Sequence, residues 1–164
     1  GVVRGQELSA KTLNPTLLKC KSDGMDLVFV SRSEYSYKSS GETVQKLINS
    51  KKCYIIPEGG TNDLAVKGCM EILTKDDNIF DVIVCAVGTG GTLAGLANSA
   101  KKNQKIVGFQ MVNDSALTER IRTFTLCDNW ELIKHPSYKG YANLDESLLS
   151  FASYIKSKTG ILVN

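Results

Sequence analysis

The chain has 164 residues, 42% hydrophobic and 23% charged, with 20 basic against 17 acidic side chains for a formal net charge of +3. That describes one globular domain, with room for a piece of a second, and a charge so small and scattered argues against a nucleic-acid partner. No apolar run approaches the roughly 20 residues of a membrane span and no signal-peptide pattern opens the chain, so no membrane association and a cytoplasmic location are expected.

Gly1-Val2-Val3-Arg4 opens in what reads as the middle or end of a strand, as if cut from something longer. Asn14, Pro15 and Thr16 predict a helix entry, with Asn14 as N-cap and Pro15 at the first helical position, running to about Ser22 and closed by Gly24. Residues 26–30 read as a short strand and the polar stretch 31–41 as a connection. Its Tyr35 and Tyr37, two apart, either face a ligand or pack at a loop, and packing is the reading we adopt. Residues 42–50 predict a helix with Val44, Leu47 and Ile48 on one side, and residues 53–56 a strand ended by Pro57. The glycine turn Glu58-Gly59-Gly60-Thr61-Asn62 then enters a helix predicted over 63–74, with Leu64, Ala65, Gly68, Cys69, Ile72 and Leu73 on its packed face.

The most informative stretch follows. Residues 82–87 are all apolar and predict a strand buried on both faces, and they run directly into Gly88, Thr89, Gly90, Gly91 and Thr92 before helix-forming Leu93 and Ala94. Glycines remove the Cβ atoms that would hold a ligand off the backbone, so the N–H groups of Gly88 to Thr92 can converge on an anion. The donors and dipole of the following helix add to the attraction, and the Thr89 and Thr92 hydroxyls offer two further hydrogen bonds. We read a phosphate cup; the alternative is a tight strand-to-helix turn in which Gly95 permits close helix packing. The same strand, glycine turn and helix order occurs at 53–74, and both turns fall at the end of a parallel sheet where ligands bind.

Beyond the cup, the pattern predicts a helix to about Ala100, strands over 105–110 and 130–133, a helix near 116–123 and a long amphipathic helix from Asn143 or Leu144 to Thr159. That helix turns Leu148, Leu149, Phe151, Ala152 and Ile155 inward, and the apolar run after Gly160 reads as the start of another buried strand. The five cysteines are odd in number, widely spaced and without a C-x-x-C pair, which suits reduced, buried thiols and excludes a zinc knuckle. The single histidine, His135, has no second to share a metal and is read as a surface or loop residue, so no metal site is expected.

A glycine turn after a strand serves several phosphate ligands, and its neighbours discriminate among them. Leu93 and Ala94 stand where a Walker loop needs lysine and Ser/Thr, and the next strand ends Gly108-Phe109-Gln110-Met111 without the carboxylate that holds a ribose. A lone phosphate on a smaller cofactor remains.

The ordered set Ile56-Pro57-Glu58-Gly59-Gly60-Thr61-Asn62, Gly68 and residues 85–95 resembles the aminocyclopropane-carboxylate deaminase and D-cysteine desulfhydrase family of pyridoxal-phosphate enzymes. Residues 3–8, 14–17, 24–25 and 29–32 match its smaller domain in the same order, so the resemblance covers essentially the whole chain. It implies an α/β fold of the tryptophan synthase β-type (fold type II), an open, mainly parallel sheet with helices on both faces, here incomplete. Residues 1–52 would belong to the smaller domain and 53–164 to the larger, cofactor-binding one. The implied cofactor is pyridoxal 5'-phosphate, held by Gly88, Thr89, Gly90, Gly91 and Thr92. The implied substrate is a small amino acid of aminocyclopropane-carboxylate or D-cysteine type, giving a keto acid and ammonia, and the implied assembly is a homodimer. Tyr141, in Gly140-Tyr141-Ala142-Asn143, becomes by resemblance the candidate catalytic hydroxyl; from sequence alone it is a loop aromatic. The family's cofactor-attaching lysine and its Ser-Asn-His or Ser-Asn-Gln motif match nothing here, and the Asp-Pro-Val-Tyr-x-Gly-Lys run would begin where this chain ends. The 164 residues alone are therefore expected not to turn over substrate. Two alternatives stay open: another enzyme of the same fold, such as a cysteine synthase or threonine dehydratase relative, and a non-catalytic phosphate-binding or interaction domain.

Overall fold

The computed structural model describes residues 1–50, 53–134 and 145–162 and divides into two compact units, Gly1–Gly60 and Thr61–Asn164.

In the first unit, strands β1 (Val2–Arg4) and β2 (Val28–Val30) pair in parallel, with Val2 opposite Val28 and Arg4 opposite Val30. Parallel neighbours need a crossover, and helix α1 (Pro15–Ser22) lies within it. Asn14 caps α1 by accepting from the Leu17 amide at 2.9 Å, and Gly24 leaves it at φ 88°, as the sequence predicts. The polar stretch after β2 is not an irregular connection. It forms helix α2 (Arg32–Ser36), because Ser31 accepts from the Glu34 amide at 3.1 Å, and a further 3-10 turn before α3 (Glu42–Ser50). Glu34 in turn accepts from the Thr43 amide at 2.8 Å, and the hydrogen bonding at Thr43 holds its carboxyl below the usual range. The strand expected over 53–56 does not form: among the described residues no strand pairs with it, Pro57 lacks a donor, and Tyr54 and Ile56 are 66% and 74% exposed.

The second unit is built on three parallel strands in the order β3 (Val82–Val87), β4 (Lys105–Gln110), β5 (Trp130–Ile133), at the bounds the apolar pattern predicts. Val82 lies opposite Lys105, Val87 opposite Gln110 and Ile106 opposite Trp130. Helices α5 (Gly91–Ser99) and α6 (Leu117–Arg122) are the successive crossovers. Running in one direction with one hand, they cover the same face. With α4 (Asp63–Cys69) they form the core: Leu93, Leu117, Ile121 and Ile106 are fully buried beside Val66, Val87, Ala94, Leu96 and Ala97. Each such side chain contributes about 1.5–3 kcal/mol on leaving water. Gln104 is also buried; its amide donates to the Asp77 and Phe80 carbonyls at 2.9 Å and accepts from Lys101 at 3.0 Å, which fixes the turns leading into β3 and β4.

Three expectations need correction here. Strand β3 alternates in burial: Ile83, Cys85 and Val87 face the core, whereas Val82 and Val84 are more than half exposed, because the described helices lie on one face only. Helix α4 stops at Cys69, where Met70, Glu71 and Ile72 switch to i→i+3 bonds and Asp77 caps Thr74. It buries Val66, and Leu64 and Ile72 face outward at 67% and 51% exposure. Helix α7 (Glu146–Thr159) buries none of its residues; Leu149 and Phe151 are more than half exposed. Local terms define α7: the Asp145 cap on Leu148, and Gly160 in the left-handed region behind Lys156 and Lys158.

Two glycines predict opposite outcomes. A Cβ at Gly95 would overlap Cys69 and lie 2.8 Å from the Val66 carbonyl oxygen, whereas at Gly68 it would meet nothing within 4 Å. Urea unfolding should show Gly95→Ala losing about 1–3 kcal/mol and Gly68→Ala gaining about 0.5–1 kcal/mol from its helical position. All five cysteines are free, Cys53 is exposed, and burial raises the Cys85 thiol pKa. Alkylation near pH 8, followed by peptide mapping, should therefore mark Cys53 well before Cys85, and the Cys85 rate should keep rising at higher pH.

Candidate functional site: a glycine cup at the head of α5

At the carboxyl end of β3 the chain passes through Gly88, Thr89 and Gly90 and enters α5 at Gly91 and Thr92. Each glycine answers a different demand. Gly90 caps the helix at φ 97°, and a Cβ there would sit 2.6 Å from Ile121 Cγ1. Gly91 lies beneath Thr61, whose hydroxyl would be 2.7 Å from an added Cβ. Gly88 is exposed, and among the described residues a Cβ on it would meet nothing within 4 Å, so no described neighbour requires glycine there. What glycine provides at 88 is open space over the backbone.

Among the described residues, the amides of Gly90, Gly91 and Thr92 donate to no protein acceptor, the state helix geometry imposes on a first turn. No acidic residue stands in that turn. Free donors, the positive end of the α5 dipole and the absence of a competing carboxylate together favour an anion. The two threonine hydroxyls have neighbours already. Thr89 Oγ1 is 2.5 Å from Thr61 Oγ1, and Cys69 Sγ donates to Thr92 Oγ1 at 3.9 Å. Thr92 Oγ1, which accepts that bond, keeps its own proton for another acceptor.

The second glycine turn has Gly59 and Gly60 at φ 71° and 70°, and Asn62 caps α4 by accepting from the Ala65 amide at 2.9 Å. Sequence reasoning set this turn at the ligand end of the sheet without a chemical role, and did not pair Thr61 with Thr89, 28 residues away. Tyr35 is part-buried and hydrogen-bonds Glu58; burial and the Glu58 charge hold its phenol above the ordinary range, while Tyr37 is 66% exposed. Tyr35 also lines a cavity of about 680 Å³ in the first unit, with Val30, Leu47, Ile48 and Glu58. Tyr141 and His135 lie outside the described residues. Among the described residues, no cluster of His, Cys, Asp or Glu is arranged to hold a metal, and no helix is long and apolar enough to cross a membrane.

The sequence profile of the family described as "Pyridoxal-phosphate dependent enzyme" matches residues 7–147. The chain belongs to this family. Its fold is accordingly the fold type II α/β architecture of pyridoxal-phosphate enzymes, and pyridoxal phosphate is the cofactor of its relatives. The chain is 42% identical over 95 residues to a Thermotoga maritima protein named "Putative 1-aminocyclopropane-1-carboxylate deaminase", an alignment covering 53% of this chain and 30% of that protein. It is 26% identical over 178 residues to the Arabidopsis thaliana "Bifunctional D-cysteine desulfhydrase/1-aminocyclopropane-1-carboxylate deaminase, mitochondrial", covering 86% of this chain and 41% of that one. The chain thus spans less than half the length of these curated relatives.

The cup fits the phosphate of the family's cofactor: among the described residues the amides of Gly90, Gly91 and Thr92 meet no acceptor, the first turn carries no acid, and nothing lies within 4 Å of a Cβ at Gly88. The glycines separate packing from binding. Gly88→Ala should leave the thermal unfolding midpoint unchanged, whereas Gly90→Ala, forced to a positive φ against Ile121, should lower stability by at least about 1–2 kcal/mol.

Proposed function

We propose that the polypeptide carrying this chain is a pyridoxal-phosphate-dependent deaminase or desulfhydrase. Its substrate would be a small amino acid, of aminocyclopropane-carboxylate or D-cysteine type, converted to a keto acid and ammonia. The single observation that carries the proposal is the cup: a first helical turn that, among the described residues, has amides without an acceptor, no acidic side chain and an unobstructed glycine, in a chain of this family.

In this reading the amides of Gly90, Gly91 and Thr92 donate to the phosphate, and the hydroxyls of Thr89 and Thr92 add two charge-assisted hydrogen bonds. Gly88 keeps the approach open. Pyridoxal phosphate, when bound, supplies a conjugated ring that takes up the electrons released at the substrate Cα. Anchoring the phosphate on a helix buried between sheet and neighbouring helices fixes where such a ring lies, so orientation is set by the protein. Tyr141 is assigned the hydroxyl beside the substrate on the strength of the family resemblance. Residues 1–52 belong, in this proposal, to the smaller domain and residues 53–164 to the larger domain of a homodimeric enzyme. No lysine of this chain is assigned to cofactor attachment, so the 164 residues alone are expected to be inactive.

The test is a spectroscopic titration of the apo full-length protein with pyridoxal phosphate, followed by assay of keto acid and ammonia from D-cysteine and from 1-aminocyclopropane-1-carboxylate. Gly88→Asp sets a carboxylate over the cup without a packing cost and should weaken binding at least about 10-fold, the scale of a like charge near an ionised group. Wild-type affinity in that variant would move the phosphate elsewhere.

A further inference from the structure

Cys69 is the last residue of α4, and its thiol reaches the first turn of α5, where Sγ donates to Thr92 Oγ1 at 3.9 Å. Its backbone is seated on the same helix: a Cβ on Gly95 would overlap Cys69 Cβ and lie 2.9 Å from its carbonyl carbon. The thiol is free of any disulfide and part-buried, and among the described residues Thr92 Oγ1 is its one hydrogen-bond partner. A helical threonine divides between two χ1 states, one of which turns the hydroxyl back onto a carbonyl of the preceding turn. Among the described residues Thr92 makes no such bond. Its hydroxyl accepts from the thiol instead, at the exposed head of α5.

We propose that Cys69 is a positioning residue for the cofactor's phosphate. Its S–H occupies a lone pair of Thr92 Oγ1 and selects the χ1 state in which that hydroxyl is not spent on its own helix, so the Thr92 proton is directed to a phosphate oxygen. The ligand class is a phosphate monoester dianion; Cys69 does not touch it. Donation by Thr92 to the anion makes Oγ1 a better acceptor and strengthens the bond from the thiol, so the two bonds reinforce each other. The inference rests on reading 88–92 as the phosphate cup. It adds to that cup the carboxyl end of α4.

The experiment is a double-mutant cycle on the apo full-length protein, titrated with pyridoxal phosphate and with unphosphorylated pyridoxal. Cys69→Ala deletes Sγ and keeps the Cβ and carbonyl carbon that lie against Gly95. It should weaken pyridoxal phosphate about 3-fold, the low end for one hydrogen bond because a thiol is a weak donor, and leave pyridoxal affinity unchanged. Thr92→Val should weaken pyridoxal phosphate about 10-fold, the scale of a lost bond to a charged group, and in that background Cys69→Ala should cost nothing further. A Cys69→Ala loss that persists alongside Thr92→Val, equal weakening of both ligands, or wild-type affinity in either single variant overturns the proposal. The infrared S–H stretch reads the contact directly: one thiol band should lie higher in Thr92→Val than in wild type, and pyridoxal phosphate should lower that band in wild type but not in the variant. Should circular dichroism show Cys69→Ala unfolded, this band decides, and a band that does not move overturns the proposal. Gly88→Asp separates the two readings. If it weakens pyridoxal phosphate while Cys69→Ala does not, the cup stands and the Cys69 role falls; if it binds as wild type, the cup falls and the Cys69 role with it.

Discussion

Helix α5 lies against α4 at a separation that the missing Cβ of Gly95 permits, and the cup depends on that approach. A methyl group at 95 would displace Cys69 and the Val66 carbonyl. Cys69 contacts Thr92, and the chain entering α4 carries Thr61 over Gly91. Separating the two helices would therefore remove neighbours from both threonines of the cup. Packing in the middle of the helix pair controls polar geometry at its end.

The opposite side of α5 is held as closely. A Cβ at Gly108 on β4 would overlap the Leu93 and Val87 side chains, and Gly90 sits against Ile121 of α6. Six of the nine residues of α5, Gly91 and 93–97, are buried, so the helix is apolar nearly all round and exposes polar groups only towards its two ends, at Thr92 and at Asn98 and Ser99. A dipole sheathed in this way is poorly screened by solvent along its length, and its positive end, at the exposed Thr92, favours an incoming anion.

Much of this was legible in the sequence. An unbroken apolar run, three glycines and then helix formers marked β3, the turn after it and α5 within a residue of their bounds, and the same logic placed β4 and β5. Asn14-Pro15 and its later glycine fixed α1, because capping is a local matter. What escaped was of two kinds. Some signals were local and overlooked: Ser31 and Glu34 stand three apart, a helix-start pattern hidden by a stretch that looked merely polar. Others were not in the local sequence at all. Which face of β3 is covered follows from the direction of two crossovers, the outward turn of Leu64 from where α5 lies, and the contact of Thr61 with Thr89 from a fold that joins residues 28 apart.

The glycines at 90, 91, 95 and 108 also bear on how a ligand arrives. Each marks a place where backbone touches a neighbour without an intervening side chain, so the head of α5 is clamped from the sheet, from α4 and from α6. Little conformational freedom is left there to lose. Under the proposed function, association with a phosphate would involve stripping water from the anion and from a handful of amides, with scarcely any ordering of the chain. The rate of capture should follow diffusion and ionic strength more closely than any slow rearrangement of the loop.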